Sequence, residues 1–254
     1  MAILYASAYD GRIIGPTAST WAAARDADGT YDASYAVQAS VETSESSNLY
    51  FAAVARFGGR GGTTYRVYRS FLRFDTSSIT GTVSGLKVMV HGKTKEDGGV
   101  RAVKASGAFT GTSPLGSLVV TDFDAINGYS AGSSMSGTTA YATGLETQGH
   151  WDKDDWNELT GTTALEDDMR DDNYVVLCFV NYGYDWRNIA PSANGDISSG
   201  AYYTDNTGTT FDPYIEYTVA SAGYGHEVNT VAASSIGKVN TVTTANIGKI
   251  NTVD

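Results

Sequence analysis

Alternation of apolar and polar residues with a period of two, interrupted at short intervals by glycine and hydroxyl residues, most narrows what this chain can fold into. A half-buried β-strand places successive side chains on opposite faces, and this is the pattern it leaves in a sequence. Within residues 68–75, one face carries Tyr68, Leu72 and Phe74, while Arg69 and Arg73 point the other way. Leu86, Val88 and Val90 share a face, as do Ile215, Tyr217 and Val219. The run at 174–180 is apolar throughout and suits a central strand. Gly58-Gly59-Arg60-Gly61-Gly62 and the Ser/Gly stretch at 130–137 read as loops. A short helix is expected at Thr163-Ala164-Leu165-Glu166, which has the form of a capping box, with Leu165 and Met169 one turn apart. Many strands and little helix predict an all-β fold, an antiparallel β-sandwich of jelly-roll-like form over residues 1–219. With 254 residues, 41% of them hydrophobic, the chain can fill one sizeable core.

Charge and cysteine content exclude several functions. The formal net charge of −11 and the scattered Lys and Arg disfavour phosphate backbones, so no nucleic-acid partner is expected. The single cysteine, Cys178, lies inside the apolar run and reads as a small buried hydrophobe. Met1-Ala2-Ile3-Leu4-Tyr5-Ala6 lacks a basic segment followed by a sustained apolar one, so no secretory signal is read there. No stretch approaches the roughly 18 apolar residues of a membrane span.

Composition changes after Val219. All the net charge belongs to residues 1–219, and the remainder balances Lys238 and Lys249 against Glu227 and Asp254. Residues 220–227 read as a linker and 228–254 as a repetitive tail. Val228-Asn229-Thr230-Val231 recurs as Val239-Asn240-Thr241-Val242 and as Ile250-Asn251-Thr252-Val253, and Ser235-Ile236-Gly237-Lys238 recurs as Asn246-Ile247-Gly248-Lys249. The spacing between equivalent residues is eleven throughout. At about 100° per residue, Val228, Val231, Ile236, Val239, Val242, Ile247, Ile250 and Val253 form one apolar stripe, and an eleven-residue period suits a right-handed helical supercoil. Glycine and several β-branched residues in these units make an isolated helix marginal, so helix and extended strand both stay open. Under either reading the eight aliphatic residues are the candidate docking surface, because so short a tail cannot bury them on itself.

The segment Arg69-Ser70-Phe71-Leu72-Arg73-Phe74-Asp75-Thr76-Ser77-Ser78-Ile79 and the closing strand Asp212-Pro213-Tyr214-Ile215-Glu216-Tyr217 resemble the DNRLRE family of β-sandwich modules, which are similar to carbohydrate-binding modules. The resemblance covers residues 7–219 and implies a jelly-roll; the stretch at 100–149 departs from the family's compact pattern. The tail resembles the Ile-Gly-Lys-Val-Asn repeats that accompany phage structural proteins. Together these imply a non-enzymatic virion component, assembled in a host cytoplasm and anchored or oligomerised through its tail. Its expected partners are other virion proteins or copies of itself, with host-surface glycans as a further class. The alternative is a carbohydrate-binding module of an extracellular protein.

Other constellations give weaker signals. Acidic residues cluster at Asp152, Asp154 and Asp155 and at Glu166, Asp167, Asp168, Asp171 and Asp172. Paired carboxylates can hydrolyse glycosides, but a solvated loop and a helix start account for both clusters. Asp26-Ala27-Asp28-Gly29-Thr30-Tyr31-Asp32 has oxygen-ligand spacing without the distal glutamate of a calcium loop. His91, His150 and His226 stand apart from one another, and the glycine loop near Arg60 lacks the Gly-Lys-Ser/Thr ending of a phosphate cradle. No cofactor, metal or catalytic set is therefore expected. Tyr182, Tyr184 and Trp186, with Tyr202 and Tyr203, form a candidate sugar-stacking platform or, equally, part of the core.

Overall fold

The computed structural model describes residues 1–7, 10–27, 38–39, 50–96, 98–108, 118–204, 209–220, 238–239 and 242–243. The alternating segments are antiparallel strands. In chain order these are β1 (Ala2–Tyr5), β2 (Gly11–Ile14), β3 (Gln38–Ala39), β4 (Tyr50–Gly59), β5 (Gly62–Asp75), β6 (Val83–Glu96), β7 (Val100–Lys104), β8 (Ala140–Leu145), β9 (Trp156–Gly161), β10 (Tyr174–Asn181), β11 (Gly195–Ala201) and β12 (Tyr214–Val219). Two short α-helices, α1 (Trp21–Arg25) and α2 (Thr163–Asp171), lie between them. The fold is all-β and sandwich-like.

Two long strands organise the sheet. β5 pairs with β4 over Gly62–Tyr68 and with β10 over Ser70–Asp75. β6 pairs with β12 and β9 along its first part and with β11 at Gly92 and Glu96. Pairing therefore runs in a closed circuit, β6–β11–β4–β5–β10–β7–β8–β9 and back to β6, with β1–β12 and β2–β3 attached outside it. The glycine run expected as a loop is a tight hairpin. β4 continues to Gly59, which pairs with Gly62, and Gly62 has a φ of 105°, where a side chain would be strained.

β5 and β10 are buried on both faces. Leu72 and Phe74 meet Val175, Leu177 and Phe179 in the inner core, joined by Phe51, Leu86, Val88, Val90, Trp151, Leu159 and Ile215. On the reverse face, Val67 and Phe71 join Val176, Cys178 and Val180 beneath Leu118, Phe123 and Met135. That double cover explains why 174–180 is apolar without alternation. Tyr68, expected alongside Leu72 and Phe74, instead packs with Ala53 and Ala55 in a small separate cluster.

Helix α2 begins one residue earlier than the capping box implied. Its N-cap is Thr162, which makes no side-chain cap; the Thr162 hydroxyl donates to the Ala140 carbonyl at 2.7 Å instead. Leu165 and Met169 are fully buried on one face of the helix, as their spacing required.

Candidate functional site

The sheet of the body ends with β12 at Val219, where the composition changes. Beyond it, two short strands are described, β13 (Lys238–Val239) and β14 (Val242–Thr243). They pair antiparallel, Lys238 with Thr243 and Val239 with Val242, in a sheet of their own. Of the eight candidate docking residues, Val239 and Val242 therefore lie on extended chain, which answers the question of helix or strand at these positions. Val228, Val231, Ile236, Ile247, Ile250 and Val253 lie outside the described residues. The spacing of three between Val239 and Val242 can align side chains on a helix, yet here it sets two residues opposite each other across a hairpin.

The expected aromatic platform is divided among three places. Residues 182–186 form a π-helical turn, not a strand. The wider turn brings Tyr182 onto Trp186, with ring centroids 4.8 Å apart and nearly parallel planes, and Arg101 lies over both rings at 5.1 and 4.6 Å. Tyr184 packs against the second core, and Tyr203 is buried against Phe51 with its hydroxyl 2.5 Å from Ser70 Oγ. Tyr202 joins a different group on the outer face of the sheet, which runs Tyr5, Tyr214, Trp156, His91, Phe211 and Tyr202 with successive centroids 4.3–5.8 Å apart. This row follows from cross-strand register, since Tyr5 faces Tyr214 and His91 faces Trp156. Most of its contacts are edge-to-face, so the rings cover one another more than they offer flat faces to a ligand.

A cleft of about 320 Å³ opens where β7, β10 and the end of α2 meet. Lys104, Tyr141, Asp172, Asn173 and Tyr174 line it, and Tyr174 is 52% exposed with Arg73 4.8 Å from its ring centre. Asp168 stands at its side, accepting hydrogen bonds from Lys104 Nζ at 2.7 Å and from the Tyr141 hydroxyl. Burial, reinforced by that hydrogen bond to Asp168, raises the Tyr141 pKa and keeps the phenol protonated.

The acidic clusters serve structure. Arg170 pairs with Asp167 and Asp171, and its hydrogen bond holds Asp171 below the usual carboxylate range. Asp154 adopts a φ of 62° in an exposed turn, and Asp155 accepts a 2.7 Å hydrogen bond from the Trp156 backbone N–H. Asp26, from the calcium-like spacing, accepts from Arg25, the Tyr129 hydroxyl and the Gly132 N–H; residues 28–32 lie outside the described residues. Among the described residues no three His, Cys, Asp or Glu side chains gather as metal ligands. No helix there is long and apolar enough to cross a membrane.

The most elaborate polar constellation was not legible in the sequence. Asp185, Arg25 and Arg69 are fully buried together beneath α1 and the turn at 182–186. Arg69 donates twice to Asp185, at 2.9 Å from each nitrogen, and once to the Phe123 carbonyl at 2.9 Å. Arg25 Nε lies 3.2 Å from Asp185 and donates to its backbone carbonyl at 2.8 Å. Arg69 also stacks 4.1 Å from the centre of the Phe123 ring. Burial works against the Arg69 cation, but the charge and hydrogen bonds of Asp185 outweigh it and raise its pKa. The neighbouring Tyr129 phenol is pushed up to about 12, chiefly by burial. Burial also raises the pKa of Cys178 beside this group, leaving an inert thiol. Asp185 holds both guanidinium groups, although the buried Arg25 Nη2 has no hydrogen-bond partner among the described residues, and the arrangement fastens the outer layer to the sheet.

Compared with known proteins, the chain matches no family model and no curated protein. The DNRLRE likeness accordingly rests on the quoted residues alone.

Proposed function

We propose that the chain is a non-enzymatic virion structural protein whose β-sandwich body is displayed on a particle and held there by its C-terminal repeats, with assembly in a host cytoplasm. The observation that carries this reading is the separateness of the tail. Its described strands pair with each other and not with the twelve-stranded sheet, while the body buries its own core without them. A repeated aliphatic pattern on a neutral segment, beside a strongly acidic body, suits attachment to a second surface. Deleting residues 228–254 is expected to leave the melting temperature of the body nearly unchanged and to abolish incorporation into particles or oligomers. Ile236→Asp combined with Ile247→Asp is expected to do the same, because burying an unpaired carboxylate is unfavourable. Normal assembly of the truncated chain, or unfolding of its body, would overturn the reading.

The carbohydrate-binding alternative draws support from one place, the cleft beside Tyr174. An exposed ring next to an amide, a carboxylate and an ammonium can stack on a sugar and hydrogen-bond its hydroxyls. The net charge favours neutral glycans over anionic ones. On this reading, affinity electrophoresis through neutral polysaccharides retards the protein, and Tyr174→Ala abolishes the retardation. Migration unaffected by any polysaccharide would remove this alternative.

A further inference from the structure

The free edge of β1 and the C-terminal repeats have complementary needs. Among the described residues β1 pairs only with β12, in unbroken register from Ala2 opposite Tyr217 to Tyr5 opposite Tyr214. Its outer edge therefore leaves backbone groups without a strand partner, and natural edge strands are usually guarded by Lys, Pro or a bulge. Met1-Ala2-Ile3-Leu4-Tyr5 has none of these. Ile3 is 51% exposed and Tyr5 42%, on a body of strongly negative charge. The tail is formally neutral, rich in β-branched residues and extended at Lys238–Val239 and Val242–Thr243. Among the described residues these two-residue strands pair only with each other, and an isolated two-stranded hairpin is marginal in water.

We propose that a C-terminal repeat of one copy adds as a strand to the β1 edge of a neighbouring copy, so that the chain assembles head to tail. The inference rests on the reading of the tail as the attachment element. Main-chain hydrogen bonds would supply the affinity, while Ile3 and Tyr5 on the acceptor and Val or Ile on the donor bury apolar surface. Antiparallel addition to β1 requires the donor to run in the same direction as β12. A chain leaving its own β12 at Val219 must first cross back over the sheet, and crossovers of that kind take a dozen or more residues. The linker at 220–227 is shorter than that, which keeps the first repeat from its own β1, whereas a neighbour's tail can approach from either direction. Donor and acceptor carried on every copy make a heterologous contact, which closes as a ring or extends as a filament.

The test uses full-length protein. Ile3→Cys is purified separately from Val228→Cys, Val239→Cys and Ile250→Cys, which occupy equivalent positions in the three repeats, and each tail variant is mixed with Ile3→Cys under mild oxidation. Cys178 is buried and does not compete. An interchain disulfide in at least one mixture, absent when either partner is incubated alone, is expected. Ile3→Lys with Tyr5→Lys should weaken self-association at least tenfold by light scattering, as should removal of the tail. Cross-linking of Ile3→Cys with itself would mean two-fold pairing of β1 edges and would overturn the inference, as would cross-linking confined to tail with tail, or none in any mixture. If the lysine variant enters particles normally while the truncated chain does not, attachment through the tail stands and β1 is not its acceptor.

Discussion

Replacing Asp185 by Ala is expected to destabilise the body by about 3–5 kcal/mol, because it strands two buried guanidinium groups without their shared counter-ion. Arg25, Arg69 and Asp185 are all fully buried, so water cannot take over the lost contacts. Arg69 would keep its bond to the Phe123 carbonyl and its stacking on the Phe123 ring, but both of its bonds to the carboxylate would go. For a domain of this size the melting temperature should fall on the order of 10 °C. Asp185→Asn separates charge from shape, since the amide retains an acceptor oxygen while losing the charge, and it should still cost a large part of the same amount. Denaturant unfolding of the three proteins measures this. A loss below about 1 kcal/mol for Asp185→Ala would mean that the charges find other partners and that the outer layer is held by apolar packing alone.

This group also marks where sequence reading stops. The period-two pattern located β5, β6 and β12, because alternation is a property of neighbouring residues and survives in any context, and the unbroken apolar run located β10. It correctly set Arg69 opposite Leu72 and Phe74, but could not tell that the opposite face would be covered too. That cover comes from α1, from Phe123 and from the turn at 182–186, whose residues Arg25, Phe123 and Asp185 are separated from Arg69 by 44, 54 and 116 positions of chain. Asp185 had no neighbour in sequence to betray it. The one available signal was Arg69 on the same strand face as Val67 and Phe71, since a guanidinium flanked by core residues needs a buried acid somewhere.

Tyr182, Tyr184 and Trp186 fail in the opposite way. Their alternation is genuine, but the chain turns into a π-helix after Asn181, whose side chain accepts from the Tyr184 N–H at 3.1 Å. An Asn that caps its own following residues competes with strand extension, and a glycine at 183 eases the turn. The cleft beside Tyr174 was hidden for a simpler reason. It is assembled from the end of β7, Tyr141 of β8 and the chain at 172–176 that leads from α2 into β10, three segments whose adjacency is set by sheet order and not by any local pattern.

Trp151→Ala should produce the second large effect, a loss of about 3–5 kcal/mol, with a consequence at the outer face that a simple cavity would not have. Trp151 is 1% exposed, stacks on Phe51 with centroids 5.9 Å apart, and donates from its indole N–H to the Gly200 carbonyl at 3.2 Å. It lies next to the acidic turn at 152–155, which is fastened to β6 by hydrogen bonds of 2.9 and 3.0 Å between its backbone and Gly92. Those bonds need glycine there, because a Cβ on residue 92 would lie 2.0 Å from the Asp152 carbonyl oxygen. Asn157 closes the other side of the turn, exchanging hydrogen bonds with Asp152 at 2.8 Å. Removing the indole therefore releases the loop that ends at Trp156, and with it the contact of Trp156 with His91 and Tyr214. Trp151→Phe keeps most of the packing but loses the bond to Gly200, so it should cost markedly less. Near-ultraviolet circular dichroism should show the difference: Trp151→Ala should lose more signal than the removal of one indole accounts for, since the Trp156 environment changes too. An aromatic spectrum reduced only by the contribution of Trp151 would show that the turn is held in place by Gly92 and Asn157 without the tryptophan.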